Sequence, residues 1–347
     1  MKSDVMMRAF ISAAVDKGFK DIARDPKRSV RQLVDLGTFF AKGRFQRYFF
    51  DIFGEMLHNE SSSYYKLIHD LVTETNQKQL KTFGMNMAYN SWTVGAKTVR
   101  ALEAAHGHNV PWTLVFRMEA GGALSVEMLD DVIRQGREMG IYCYVFFCGG
   151  DYPPLTLAPL LRKYRDCAFL LFLQDVQVDR PLVKEMLEVG NTLACLQSES
   201  RGFLEKAALL HSSGCFYAAW CSYGNGGGGE ACSRRVLPQV LQAKTPFFFF
   251  VAEETCSAQT QEQMRNYTVH TRQAQQEPVF CVDFYTDIAF IDHVISSDAC
   301  VLSFDKDGTA GSIPGAAPVQ PLVLRRGTLL QTLLQNILPY SPTPQTV

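Results

Sequence analysis

Six carboxylates follow predicted β-strands, where the side chains of a parallel sheet could converge. They are Glu119, Asp151, Asp175, Glu199, Glu253 and Glu254. Because the active sites of α/β barrels lie at the carboxyl ends of the strands, we expect these side chains on one rim. Paired carboxylates at a rim could perform general acid–base catalysis, so a non-iron hydrolase or lyase is one interpretation. A solvated polar rim is the other.

A glycine pair, Gly149-Gly150, separates a predicted strand from Asp151. Glycine lets a ligand approach the main chain closely, and open α/β sheets bind ligands beyond the carboxyl ends of their strands. A nucleotide-like pocket is therefore one interpretation of this segment. A strand-ending turn explains the glycines equally well.

Both sets of residues depend on a strand–helix–strand unit between residues 109 and 153. Residues 110–118 and 141–148 are apolar runs that predict two buried parallel strands. Between them Ser125 suits a helix N-cap and Gly140 a helix end. An apolar stripe at helical spacing supports that helix and comprises Val126, Leu129, Val132 and Ile133.

The alternation of strands and helices continues along the chain. Further strands are predicted at 167–174, 191–197, 214–221 and 245–252, with helices between them. Six such units predict an α/β fold, a partial (β/α)6 TIM-like barrel. Three regions follow: an N-terminal helical region (1–105) packed on the barrel, the barrel itself (106–277) and a short C-terminal α+β extension (278–347).

The segments NVPWTLVFRM, LSVEMLDDVIRQGREMGIYCYVFFCGGD, DCAFLLFLQ and EMLEVGN resemble the half-barrel of radical S-adenosylmethionine (SAM) enzymes. The resemblance is to the type with a C-terminal, SPASM-like auxiliary-cluster extension. In that family the loop after the first strand carries a CxxxCxxC motif that holds a 4Fe–4S cluster. The free iron of that cluster binds SAM. The resemblance therefore implies this half-barrel and a pocket at its mouth.

The chain departs from the family at the residues that hold iron. The loop after the first strand is Glu-Ala-Gly-Gly-Ala at 119–123, and no cysteine precedes Cys143. The family's auxiliary cysteines align approximately with Val294 and Ser312. Because these clusters need thiolates, the sequence predicts no 4Fe–4S cluster and no catalytic residues.

What the resemblance leaves is a residual SAM-like pocket. Gly149, Gly150 and Asp151 are similar to the GGE motif of the family, whose backbone holds the SAM amino group, and Glu199 stands where the family has a Glu after its fourth strand. Weak binding of SAM or a related nucleotide stays open. No other cofactor is expected.

Composition limits the classes of partner. The 347 residues carry a net charge of −1 without a basic stripe, which disfavours nucleic acid. Ten cysteines occur singly within apolar runs and indicate reduced thiols, hence a cytoplasmic protein. The longest strongly apolar run, 246–252, is too short to span a membrane.

Two further motifs carry little weight. His106 and His108 lack a third ligand nearby, so a solvated loop is favoured over a metal site. The glycines at 226–229 lack the Lys-Ser/Thr of a P-loop and favour a flexible connection.

The leading hypothesis is a pseudoenzyme that acts as a scaffold or binding partner. Its partner would be an active radical SAM relative, the peptide such an enzyme modifies, or a second copy of this chain. A rim-carboxylate enzyme is the alternative, and a true radical SAM enzyme with an unusual cluster site is third. A dimer is predicted because one helix face cannot hide all of a dense aromatic set. That set comprises Phe39, Phe40, Phe45, Tyr48, Phe49, Phe50 and Phe53.

Overall fold

A computed structural model of the chain describes residues 2–41, 44–226, 229–296 and 298–339; the side chains of residues 2–5, 40, 44–45 and 230–232 lie outside the description. Within these residues, nine strands form one sheet. They are β1 (Thr113–Met118), β2 (Cys143–Cys148), β3 (Ala168–Leu173), β4 (Thr192–Gln197), β5 (Tyr217–Tyr223), β6 (Phe247–Ala252), β7 (Phe280–Asp283), β8 (Leu302–Phe304) and β9 (Ala310–Ser312). The order across the sheet is β7-β6-β5-β4-β3-β2-β1-β8-β9, and only the β8–β9 pair is antiparallel.

Helices precede the sheet and connect its strands. Before β1 come α1 (Lys2–Ile22), α2 (Pro26–Phe40), α3 (Arg44–Met56), α4 (Tyr64–Glu74), α5 (Gln77–Gly84), a π-helix (Met85–Gly95) and α6 (Ala96–His106). The later helices are α7 (Val126–Met139), α8 (Ala158–Lys163), α9 (Arg180–Val189), α10 (Phe203–Ser212), α11 (Glu230–Gln242), α12 (Ala258–Ala274), α13 (Phe284–Ile295) and α14 (Leu330–Ile337). None of the helices in the described part of the chain combines the length and apolar character that a bilayer span requires.

The sheet is curled into an open half-barrel. Phe147 on β2 and Trp220 on β5 are three strands apart, a separation of roughly 14 Å in a flat sheet, yet their ring centroids lie 6.0 Å apart. Phe172 on β3 and Phe249 on β6 are equally distant in strand order and 5.5 Å apart. The predicted α/β half-barrel with parallel strands is confirmed. It extends beyond the six predicted strands, because β7 continues the parallel series and β8 pairs with β1.

The segment VDFYTD joins two elements of this half-barrel. Its first residues complete β7, and Phe284 begins α13 without an intervening loop. Val294, where the family alignment placed an auxiliary cysteine, is buried in α13, and Ser312 lies on the edge strand β9.

Buried amides fasten the N-terminal helices to the amino ends of the strands. Gln79 donates to the Thr192 carbonyl (3.3 Å) and accepts from the Phe216 N–H (2.9 Å). Asn86 donates to the carbonyls of Arg165 and Cys167, both at 2.8 Å. A buried amide is retained only where its hydrogen bonds are satisfied, so these contacts fix the helical layer on the base of the half-barrel.

The local signals behave as the sequence indicates. Asp25 caps α2 by accepting from the Arg28 N–H, and Ser125 caps α7 by accepting from the Met128 N–H. Gly140 ends α7 with φ of +95°. A Cβ on Gly95 would lie 2.2 Å from the Gly140 carbonyl oxygen, so glycine is required where the π-helix meets α7.

Candidate functional site

The turn after β1 occupies the place where the family's cluster loop would stand. Gly121 has φ of +78°, and the Gly122 N–H donates to the Glu119 carbonyl (3.1 Å). The Lys306 carbonyl accepts from the Ala123 N–H (2.8 Å). A Cβ on Gly122 would lie 2.7 Å from that carbonyl oxygen. The turn is therefore pressed against the β8–β9 connection and leaves no room for a side chain at position 122.

The cysteines are dispersed over several elements. The nine whose side chains are described are buried and form no disulfide bond: Cys143, Cys148, Cys167, Cys195, Cys215, Cys221, Cys256, Cys281 and Cys300. Burial raises the pKa of Cys143, Cys148, Cys215 and Cys281 to about 12. The side chain of Cys232 lies outside the described residues. No group of three or more His, Cys, Asp or Glu residues in the described part of the chain could hold a metal ion.

Five aromatic rings fill the concave side of the half-barrel below its mouth. This aromatic plug consists of Phe147, Phe172, Trp220, Phe249 and Phe284. Phe172 lies at its centre, with ring centroids 4.4 Å from Phe147 and 4.8 Å from Phe284. All five side chains are at most 7% exposed. The interior at this level is therefore packed core.

A cationic group lies between the plug and the rim. The Arg117 guanidinium donates to the Tyr285 hydroxyl (3.3 Å) and pairs with Glu254 (3.5 Å). It also lies 5.6 Å from the centre of the Phe147 ring, within cation–π range. Arg117 is thus held by contacts with three different parts of the chain and links them at the mouth of the half-barrel.

A buried carboxyl lies at the end of β7. Asp283 is fully buried and accepts from the Tyr223 hydroxyl (3.0 Å). Desolvation raises the pKa of Asp283 to about 6. Its Oδ2 has no hydrogen-bond partner among the described residues. A group poised near neutral pH could move a proton, but its burial keeps it from a substrate at the rim.

The glycine pair adjoins the turn after β1. The Gly149 N–H donates to the Met118 carbonyl (2.8 Å), and a Cβ on Gly149 would lie 3.3 Å from Glu119 Cγ. Gly150 faces open space and Asp151 is exposed. Close packing accounts for Gly149, while Gly150 has no packing requirement. The residual SAM-like pocket at these residues and Glu199 stays a prediction.

The six rim carboxylates are all exposed and follow the strands β1, β2, β3, β4 and β6. Three of them are ion-paired: Glu119 with Lys306 (3.3 Å), Glu199 with Arg235 (2.7 Å) and Glu254 with Arg117. Within the described residues Asp151, Asp175 and Glu253 have no ion-pair partner. The catalytic role considered for Glu119, Asp175, Glu253 and Glu254 stays a prediction.

Two minor motifs have different outcomes. His108 was expected in a solvated loop, which is wrong: its side chain is 1% exposed, and desolvation lowers its pKa. The structure pairs His108 with Pro339 through an antiparallel β-bridge, a contact between distant parts of the chain that the local sequence does not indicate. The glycine run at 226–229 includes residues 227 and 228, which lie outside the described residues.

Sequence inspection missed Arg117, Asp283 and the aromatic plug. Each plug residue on a strand occupies an alternate, inward-facing position, and Arg117 is opposite Phe147 in the register of β1 and β2. A polar residue inside an otherwise apolar strand is a signal that could have identified Arg117. The plug could not be predicted from the sequence, because the curvature of the sheet brings its residues together.

A second buried carboxyl, Asp292 on α13, makes stability depend on pH. Asp292 accepts from the backbone N–H groups of Trp112 (3.1 Å) and Cys300. Desolvation raises its pKa to about 7, and the nearby Glu103 carboxylate acts in the same direction. The folded protein thus retains a proton that the unfolded chain releases near pH 4. The stabilisation is present at low pH and is lost as pH rises through about 7.

We therefore expect the free energy of unfolding to fall between pH 6 and 8, by on the order of 1 kcal/mol from Asp292 alone. Urea unfolding at several pH values measures it. Asp292→Asn should be less stable throughout, since an amide N–H₂ would face a backbone N–H, and should show a flatter profile. An unchanged slope in Asp292→Asn would contradict the assignment. His108 acts with the opposite sign below about pH 6.5.

Comparison with known proteins gives structural similarity only. No protein-family model matches the sequence, and no curated protein matches it. Crystal structures of Streptococcus suis SuiB are similar in outline. SuiB bound to S-adenosylmethionine is 11% identical, with a TM-score of 0.49, over 82% of this chain and 80% of SuiB. SuiB bound to the precursor peptide SuiA is 10% identical, with a TM-score of 0.48, over 70% and 67% of the two chains. A third SuiB structure gives 10% identity and a TM-score of 0.45, and this chain spans 63% of its length. Similarity at this level carries no conclusion about activity.

Proposed function

We propose that this protein is a non-catalytic binding protein, a pseudoenzyme of radical-SAM-like architecture, and that its partner is a polypeptide. The observation that carries the proposal is the construction of the mouth. The turn at 119–123 has no thiol and is packed against Lys306, and the aromatic plug fills the interior beneath it. A turn without the three thiolates that a cluster needs supports binding rather than radical chemistry.

The rim supports a partner that presents basic side chains. Asp151, Asp175 and Glu253 are exposed and have no ion-pair partner within the described residues. Exposed charges of one sign steer a partner of opposite charge and improve the specificity of the encounter. The partner is then a basic segment of an active relative, of the peptide such an enzyme modifies, or of a second copy of this chain.

The protein is first used to capture its partner from extracts of the native host, and mass spectrometry identifies that partner. The identified protein, purified, is then titrated against wild type and against Asp151→Lys/Asp175→Lys/Glu253→Lys. We expect affinity to fall about tenfold or more in the rim variant and to depend on salt. Analytical ultracentrifugation covers the case in which the partner is a second copy.

The matched control reverses three charges away from the mouth: Asp35→Lys/Asp51→Lys/Glu55→Lys on α2 and α3, all exposed. It should bind like wild type. Equal loss in both triple variants would show that net charge and not the rim determines binding. Equal retention in both would exclude the rim as the binding surface.

A further inference from the structure

A large apolar cavity lies within the N-terminal helical layer, away from the barrel mouth. It has a volume of about 470 Å³ and separates α1–α3 from α4, α5 and the π-helix. Its walls are aliphatic and aromatic, and beside the phenol of Tyr89 the polar exceptions are Gln46, Lys81 and Thr93. Gln46 and Thr93 are hydrogen-bonded to each other. The volume is roughly three times that of an apolar cavity that holds one benzene molecule, about 150 Å³.

Small residues and close helix contacts create this space. Gly84 and Ala88 lie one helical turn apart on the wall and are exposed to it. A Cβ on Gly37 would lie 2.2 Å from a Phe50 ring atom, so α2 and α3 are in close contact and cannot move inward there. The layer's own buried cluster is small: Ile22, Val30, Leu57, Tyr65 and Val72. Concave, largely apolar cavities of this size are typical of small-molecule sites.

A basic mouth adjoins the apolar cavity. A second cavity, of about 500 Å³, shares Lys81 and Met85 with the first and is also lined by Arg8, Lys78 and Arg165. Lys81 pairs with Asp16 (2.6 Å). No described carboxylate lies within ion-pair distance of Arg8, Lys78 or Arg165. Three cations that no described carboxylate neutralises thus face the entrance of an apolar space.

We propose that this site binds a single-chain amphiphile with an anionic head group, such as a long-chain fatty acid. The chain occupies the apolar cavity, where it removes exposed apolar surface from water. The anionic head lies at the basic mouth, where cations lower its free energy. A cavity of about 470 Å³ favours a single chain, and the positive charge at its entrance selects an acid over an alcohol.

Palmitate titrated calorimetrically into the delipidated full-length protein tests the site. We expect one molecule bound per chain. Ala88→Trp should fill the cavity and weaken palmitate binding about tenfold or more. Ala104→Trp, on the exposed face of α6, is the matched control and should bind like wild type. Thermal unfolding without ligand shows that both variants are folded.

The head group is tested separately. Lys78→Glu/Arg165→Glu should weaken binding of palmitate and of hexadecyl phosphate but leave binding of hexadecanol unchanged. Comparison of the two anions distinguishes a carboxylate from a phosphate source. Equal palmitate affinity of Ala88→Trp and wild type would overturn the proposal. So would equal affinity for hexadecanol and palmitate, or binding to anionic phospholipid vesicles without binding of monomeric palmitate.

Discussion

Anaerobic reconstitution with iron and sulfide is expected to leave this protein without a 4Fe–4S cluster, and incubation with SAM and a reductant should yield no 5′-deoxyadenosine. Three thiolates on one loop are needed to hold such a cluster. The loop at 119–123 contains none. A cysteine placed at 122 would push its Cβ to 2.7 Å from the Lys306 carbonyl oxygen, so the turn would have to be rebuilt before it could carry ligands.

The described cysteines cannot substitute for the missing ligands. They are spread over several strands and loops, and Cys143 and Cys148, which share β2, lie at its opposite ends. Burial raises the pKa of both thiols, which disfavours the thiolate that binds iron. Cys256 is the most exposed of them, at 8%, and lies after β6 at the mouth. It is therefore the residue through which adventitious iron would bind.

Visible absorption, iron and sulfide analysis and chromatography of the SAM products measure the outcome. Cys256→Ser is the matched control, since iron that disappears with this single thiol is adventitious. A stoichiometric cluster that is reduced, cleaves SAM and persists in Cys256→Ser would refute the pseudoenzyme hypothesis. It would leave the amphiphile site in the N-terminal layer unaffected.

The strands at the centre of the sheet were predictable because they are buried on both faces. Parallel strands under helices appear as near-continuous apolar runs, and residues 143–148 and 168–173 are buried without exception. Helix ends were predictable where the residue type strongly favours a capping position. Ser125 and Gly140 each cap a helix as expected, and Asp25 before Pro26 is a further N-cap of this kind.

The candidate site was less predictable because it is assembled by the sheet's curl. Phe147 and Trp220 are 73 positions apart in sequence. Their rings are in contact because the sheet curves between β2 and β5. Arg117 acquires its contacts from α13 and from the loop after β6. The π-helix escaped notice for a related reason. Its i to i+5 hydrogen bonds produce no distinct hydrophobic period in the sequence. The need for glycine at position 95 is apparent only from the contact between Gly95 and the Gly140 carbonyl oxygen.

Phe172→Ala is expected to lower the free energy of unfolding by about 3–5 kcal/mol, the usual range for truncating a buried phenylalanine. Phe172 is fully buried and contacts the other four rings of the aromatic plug. Those four rings come from three strands and from the start of α13, so the cavity left behind cannot collapse without moving several elements. Urea unfolding at fixed pH measures the change.

Phe290→Ala on α13 is the matched control. Phe290 is 37% exposed and contacts Tyr48 at one edge, so its truncation should cost about 1 kcal/mol or less. A cost for Phe172→Ala no larger than that of Phe290→Ala would mean that the mouth is loosely filled and can open to a ligand. A large cost, by contrast, would mean that the interior of the half-barrel below the mouth is tightly packed core. That result would agree with the proposed function, in which a partner binds at the charged rim and not in the interior.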